Sequence, residues 1–254
     1  MDAGGVAAWP AIVTWPPRSV RGVPGAVVLD LDGTLVDTVH LRVEGWTAAF
    51  EELGIRADPA ILRRLIGADG HVVARAGVRS AGQEPDAALE ERLDYLAGEA
   101  FGWLNQSPRP LSGATELLTA LARQGIPHAI ATASRAAQAL TSVDALGLAS
   151  RPLIVDGSHV RHAKPAPDLL LLAARRLRTP PEACWYVGDS IWDMQAARAG
   201  RMTAAGVTSG FATADDLRRA GADIVEADLD DLRVHIEGAT LAEGAGPAPD
   251  TRAR

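Results

Sequence analysis

Five short apolar runs punctuate the chain: Ala26–Leu31, His128–Thr132, Leu153–Val155, Cys184–Val187 and Thr203–Val207. They show little polar/apolar alternation, the pattern of strands buried on both faces of a parallel sheet. Between them, apolar residues recur at helical spacing. Leu117, Leu118 and Leu121 mark one helix, with Ser112 as its cap and Gly125 as its stop. Pro165 to Leu177 opens on prolines and continues with Leu169–Leu172, as a helix entered at its first turn does. Ile191 to Ala199 forms another and ends at Gly200. Strand alternating with helix predicts an α/β fold, a doubly wound parallel (Rossmann-like) sheet with helices on both sides.

The alternation fails once. From Thr38 to about Ser107 no strand pattern occurs. Three or four helical stretches stand there instead, with stops near Gly54, Asp58-Pro59, Gly67, Gly77 and Gly82. About 70 residues is too long for an ordinary connection. The expectation is a helical cap at 38–107, inserted directly after the first strand. Ligand crevices of parallel sheets lie beyond the carboxyl ends of the strands, so the insert would cover the crevice like a lid. The catalytic core is then 23–37 with 108–236, between a flexible extension at 1–22 and a flexible tail at 237–254. Trp9 and Trp15 in the extension are candidates to dock on a surface.

Composition narrows the function. The net charge of −7 argues against a nucleic-acid partner, which needs a basic patch. No apolar run reaches the ~18–20 residues of a membrane span, and Met1 to Arg21 does not read as a secretory leader. A single cysteine, Cys184, permits no intramolecular disulfide, so a reducing, cytoplasmic setting is expected.

The chemistry concentrates at strand ends. Asp30-Leu31-Asp32-Gly33-Thr34 follows Ala26-Val27-Val28-Leu29. Carboxylates at i and i+2 of an extended segment project to one side, and such a pair is costly unless a cation or proton compensates it. Val187-Gly188-Asp189-Ser190 ends another apolar run, with Asp193 in the following helix. Asp30 and Asp189 on adjacent strands would reach one hard cation, and an all-oxygen donor set favours Mg²⁺.

These segments resemble the haloacid dehalogenase-like hydrolase superfamily, in its helical-cap subgroup of phosphoglycolate phosphatase and β-phosphoglucomutase type. Four motifs occur in the expected order over Val23 to Ile236. They are Asp30-Leu31-Asp32-Gly33-Thr34, Thr132 closing Ala129-Ile130-Ala131, Lys164 before Pro165, and Gly188-Asp189-Ser190 with Asp193. The resemblance implies that Asp30 attacks phosphorus and that Asp32 protonates the leaving oxygen and then activates water. It implies that Thr132 hydrogen-bonds a phosphoryl oxygen and that Lys164 neutralises charge on the phosphoryl group and on Asp30; Ala133, Ser134 and Arg135, which follow Thr132, are candidates to contact the substrate. Mg²⁺ would be held by Asp30, the Asp32 main-chain carbonyl and Asp189, with Asp193 a supporting ligand or an orienter of Lys164. From the cap, His40 and Trp46 are the first candidates to touch the substrate, ahead of Arg42, Arg64, His71 and Arg75.

The implied activity is hydrolysis of a small phosphate monoester such as phosphoglycolate, a sugar phosphate or a nucleotide. Such an enzyme would be a monomer or homodimer. An acid at Asp32 points away from the dehalogenases, which lack one there. The absence of lysine from Thr38–Ser107 removes the Schiff-base phosphonatases. A sugar-phosphate mutase shares the whole catalytic set and is the main alternative. A non-catalytic regulatory protein is a more distant one. His159 and His162 read as surface residues, Cys184, Trp185 and Trp192 as core.

Overall fold

The computed structural model describes Trp15, Pro16, Arg18, Val20 and residues 22–244. Six parallel strands form one sheet: β1 (Ala26–Leu29), β2 (His128–Ala131), β3 (Leu153–Val155), β4 (Cys184–Gly188), β5 (Thr203–Val207) and β6 (Ile224–Glu226). Their order is β3-β2-β1-β4-β5-β6. β1 pairs on one side with β2, Leu29 against Ile130, and on the other with β4, Leu29 against Val187. The winding reverses between β1 and β4. That switch point is where a crevice opens beyond the carboxyl ends of a doubly wound sheet.

Alternate residues of each strand supply two separate cores. Ala26, Val28, Tyr186 and Ala204 face one side, where α7 (Asp168–Leu177), α8 (Ile191–Ala199) and Leu217 of α9 (Ala214–Arg219) pack. Val27, Leu29, Trp185 and Val187 face the other, under α5 (Ala114–Arg123), α6 (Ala136–Ala145) and α10 (Leu229–Gly244). Burying both faces explains the lack of alternation in the sequence, and each fully buried Val, Leu or Ile contributes about 1.5–3 kcal/mol.

Between β1 and β2 lie α1 (Val39–Glu52), α2 (Pro59–Leu65), α3 (Gly70–Ser80) and α4 (Ala87–Leu104). Asp58, Asp69 and Asp86 cap the last three through their side chains. α1 packs along α4, and Trp46 and Phe50 of α1 lie with ring centroids 6.0 Å apart.

Several boundaries differ from the sequence reading. Gly77 stops nothing: it lies inside α3, where the Phe50 ring occupies the space a side chain would need. Ser112 does not cap α5; Gly113, at φ 77°, turns the chain, and Ser112 Oγ donates to Asp230 instead. α7 begins at Asp168 rather than Pro165, because a residue preceding proline, here Ala166, is disfavoured from helical geometry. β6, a three-residue edge strand, gave no readable pattern. α10 continues to Gly244, eight residues into the expected tail, anchored by Leu229, Leu232 and Ile236 against the sheet. Trp15 is docked: Arg198 lies 5.4 Å from its ring centroid and donates to the Pro16 carbonyl. Trp9 lies outside the described residues. No described helix is long and apolar enough to cross a membrane.

Candidate active site

The site is built where β1 and β4 end. Asp30 leaves the ladder after β1, its backbone N–H still donating to Val187 O at 2.9 Å. Gly33, at φ 85°, makes the turn that follows. A Cβ there would meet both Asp189 and Val39, so only glycine fits. Thr34 Oγ1 donates to Asp189 Oδ1 at 2.8 Å, tying the first motif to the last.

Asp30, Asp189 and Asp193 are buried and bring one carboxylate oxygen each within 4.8 Å of the others. Lys164, equally buried, reaches Asp30 at 2.6 Å and Asp193 at 2.8 Å. It is the only lysine in the chain, among 25 Lys and Arg residues. An ammonium is a compact point charge, which suits a slot between two carboxylates better than a planar guanidinium does. Burial works against its charge, but Asp193 and Asp30 outweigh burial and raise its pKa.

Three carboxylates face one ammonium, and two of them, Asp30 and Asp189, have raised pKa values. Burial, with Asp193 and Asp32 adding to it against the pull of Lys164, pushes Asp30 up to about 7. Burial and the charges of Asp193 and Asp30 raise Asp189 well above the carboxylate range. The set is all oxygen and short of positive charge, as a hard divalent cation requires. Asp193 is occupied: Oδ1 accepts from Lys164 and from Tyr186 OH at 3.0 Å, Oδ2 from Ser190 N at 3.0 Å and Oγ at 2.5 Å. It therefore holds Lys164 in place from within the cluster.

Asp32 turns the other way, its carboxylate outside the cluster. Oδ1 accepts from Thr38 at 2.7 Å, and Oδ2 from Ser134 at 2.5 Å and Arg42 at 2.9 Å. Burial alone would raise its pKa, but the Arg42 charge and the hydrogen bonds from Ser134, Thr38 and Arg42 lower it below the ordinary value. Thr132 is buried beside it, its Oγ1 accepting from Ser134 N at 3.1 Å.

Asp30, Asp32, Thr132, Ala133, Ser134 and Lys164 all line one cavity of about 100 Å³. Its far wall comes from α1, α3 and α4 and includes Arg42, Trp46, Val73, Asp94 and Gly98. A larger cavity, about 520 Å³, reaches Asp189 from the side of Arg63, Arg64 and Phe211 but does not contain Asp32.

A family model described as haloacid dehalogenase-like hydrolase matches residues 24–201. The chain belongs to the haloacid dehalogenase-like hydrolases. It is 32% identical over 211 residues to the "Probable phosphatase IndB" of Dickeya dadantii, covering 78% of this chain and 87% of that protein. It is 30% identical to the fructose-1-phosphate phosphatase YqaB of Escherichia coli, over 71% of this chain and 95% of that one. The crystal structure of a hydrolase from Pseudomonas syringae superposes with a TM-score of 0.79 at 34% identity, covering 84% of this chain and 98% of that one.

Asp30, Asp32, Thr132 and Lys164 thus meet at one cavity, with Asp189 and Asp193 clustered against Asp30. Of the insert's candidates, Trp46 lines the cavity, whereas His40 is exposed and pairs with Asp37 at 3.6 Å. Arg42, placed behind His40 and Trp46 on sequence grounds, lines the cavity too, as do Asp94 and Gln138. The signal for Arg42 was its helical spacing: Thr38, Arg42 and Trp46 stand four apart on one stripe of α1, and His40 lies off that stripe. Nothing local marked Asp94 or Gln138.

Proposed function

We propose that this chain hydrolyses small phosphate monoesters, with Mg²⁺ as cofactor and the phosphoryl group carried transiently on Asp30. The observation that carries this reading is the division of labour around one cavity. Asp30 is clustered with Asp189, Asp193 and Lys164, while Asp32 is held apart from them by Ser134, Thr38 and Arg42.

In the first half, an Asp30 oxygen bonds to phosphorus as the ester P–O bond breaks, and the leaving oxygen takes a proton from Asp32. In the second, water attacks phosphorus, its proton passes to Asp32, and the Asp30–phosphorus bond breaks. Carrying the group on a carboxylate splits one difficult displacement into two easier ones. Lys164 and Thr132 offset and orient the phosphoryl oxygens, with Lys164 fixed by Asp193. Asp30, the Asp32 main-chain carbonyl and Asp189 would hold the cation, which when bound offsets the phosphoryl charge that otherwise repels Asp30. The proposed division is a catalytic core of 23–37 and 108–236 and a cap of 38–107 that excludes water. A reducing cytoplasm suits the single, buried Cys184.

The test is release of inorganic phosphate from a panel of phosphorylated metabolites, with Mg²⁺ and with chelator, by wild type and Asp30→Asn. Mg²⁺-dependent release, lost in a variant whose circular dichroism is native, is expected. Undiminished release by Asp30→Asn would remove the nucleophile.

A further inference from the structure

Among the described residues, every cation lining the active-site cavity is already matched. Lys164 has Asp30 and Asp193. Arg42 has Asp32. Arg135, at the start of α6, has Asp94 of α4 at 2.9 Å and Glu91 at 3.6 Å. The phosphoryl group is provided for by the proposed cation and Lys164. Among the described residues lining this cavity, no unpaired positive charge remains for a second anionic group. A carboxylate or second phosphate there would instead meet Asp94 and Glu91, two carboxylates sharing the one Arg135 guanidinium, and like charges brought together in a crevice oppose binding.

Hydroxyl groups find partners on the same wall. Arg135 occupies Asp94 Oδ2, and Oδ1 has no hydrogen-bond donor among the described residues. The Gln138 side chain lies next to it along the cavity and takes part in hydrogen bonds with Arg42 and the Arg135 N–H. Two glycines make room for this pair. A side chain at Gly70 would overlap the Asp94 carboxylate, and one at Gly98 would overlap the Gln138 amide. Trp46 adds an apolar face. The cavity's small volume, about 100 Å³, lies well below the ~300–1,000 Å³ of sites for drug-sized ligands.

We propose that Asp94, held by Arg135, is a specificity-determining residue. It selects phosphate esters whose leaving group is small, uncharged and hydroxyl-bearing, a polyol or monosaccharide, and turns away leaving groups with a second anion. This rests on the phosphatase reading above.

The experiment compares kcat/KM for glycerol phosphate and phosphoglycolate, similar in size but differing in charge, with p-nitrophenyl phosphate as reference. The full chain is used, with Mg²⁺. Glycerol phosphate is expected to be preferred by about tenfold or more, the effect of a like charge in a partly solvated site. Asp94→Asn should shrink that ratio about tenfold. Arg135→Gln, which bares the Asp94 charge, should widen it, and it carries the test should Asp94→Asn fail to fold. Equal or better turnover of phosphoglycolate by wild type overturns the proposal, as does a ratio that neither variant moves in its stated direction. Absence of turnover on all three esters, p-nitrophenyl phosphate included, overturns the phosphatase reading and this proposal with it. Hydrolysis of p-nitrophenyl phosphate with phosphoglycolate preferred overturns the selection alone.

Discussion

Arg42 of α1 donates to Asp32 at 2.9 Å while its guanidinium lies 3.4 Å from the Phe101 ring centroid. Asp32 belongs to the loop after β1 and Arg42 to the helical insert, so the pair ties the position of the insert to the charge of the proposed acid. Arg42, with Ser134 and Thr38, fixes the Asp32 carboxyl and lowers its pKa below the ordinary value. Removing Arg42 should therefore impair turnover without disturbing the Asp30 cluster. Arg42→Ala is expected to lower kcat by about 10- to 100-fold, part of the usual contribution of a positioned acid/base. Its Mg²⁺ affinity, read by titration of thermal stability, should be unchanged. A wild-type kcat in this variant would show that the pair has no part in catalysis.

Asp32→Asn tests the acid itself. Leaving groups that need a proton should suffer about 10²–10⁴-fold. p-Nitrophenyl phosphate, whose leaving group departs as an anion, should lose much less in the burst of nitrophenol release. Equal losses on alkyl and nitrophenyl esters would count against proton donation by Asp32.

The carboxylate cluster predicts how stability responds to pH and to cations. Asp30 is pushed up to about 7 and Asp189 is also raised, both chiefly by burial. A carboxyl with a raised folded pKa binds more protons folded than unfolded. Cation-free stability therefore falls as pH rises from about 4 through 7 on account of Asp30, and Asp189 adds to the fall in the same direction. Asp189→Asn removes one charge and should raise the cation-free Tm at pH 8 by a few degrees, an advantage that fades near pH 4. Mg²⁺ at about 100 times its Kd should add ~2.7 kcal/mol to wild type, or about 5–10 °C in Tm, and little to the variant. A full Mg²⁺ shift in Asp189→Asn would place the cation elsewhere.

Arg198 and Asp223 form a buried pair at 2.7 Å beneath Trp15 and Pro16, far from the cavity. Arg198→Ala strands the Asp223 carboxylate with only backbone donors, from Ala204 and Arg18. Breaking a buried pair costs about 3–5 kcal/mol, a drop in Tm of about 6 °C or more. kcat/KM well below the transition should stay at the wild-type value. A melting curve matching wild type would mean that the pair adds nothing to the fold.

The strands were legible because a sheet covered on both faces needs uninterrupted apolar runs, and β1 to β5 each carry one. β6 was not, because Asp223 and Glu226 leave only Ile224 and Val225 between them, whereas the opposite edge strand β3 is apolar at all three positions. Helix ends set by backbone geometry also escaped: Gly113 displaced Ser112 as the cap of α5, and Pro167 delayed α7. The docking of Trp15 depends on Arg198, more than 180 residues away, and no local signal announces it.

Asp30, Asp32 and Asp189 stood out in the sequence because apolar runs, β1 and β4, lead into them, whereas Thr132 and Lys164 were picked out through the family resemblance. Their order along the chain, through that resemblance, led to the expected chemistry: an all-oxygen cation site, with a nucleophile and an acid two residues apart. Only the tertiary structure decided what faces them. Arg42, Asp94, Arg135 and Gln138 come from α1, α4 and α6, and they meet over β1 because the insert folds back across the switch point. Helical spacing can say which residues share a stripe, but not which distant stripe lies opposite, since that depends on how two packed surfaces fit together.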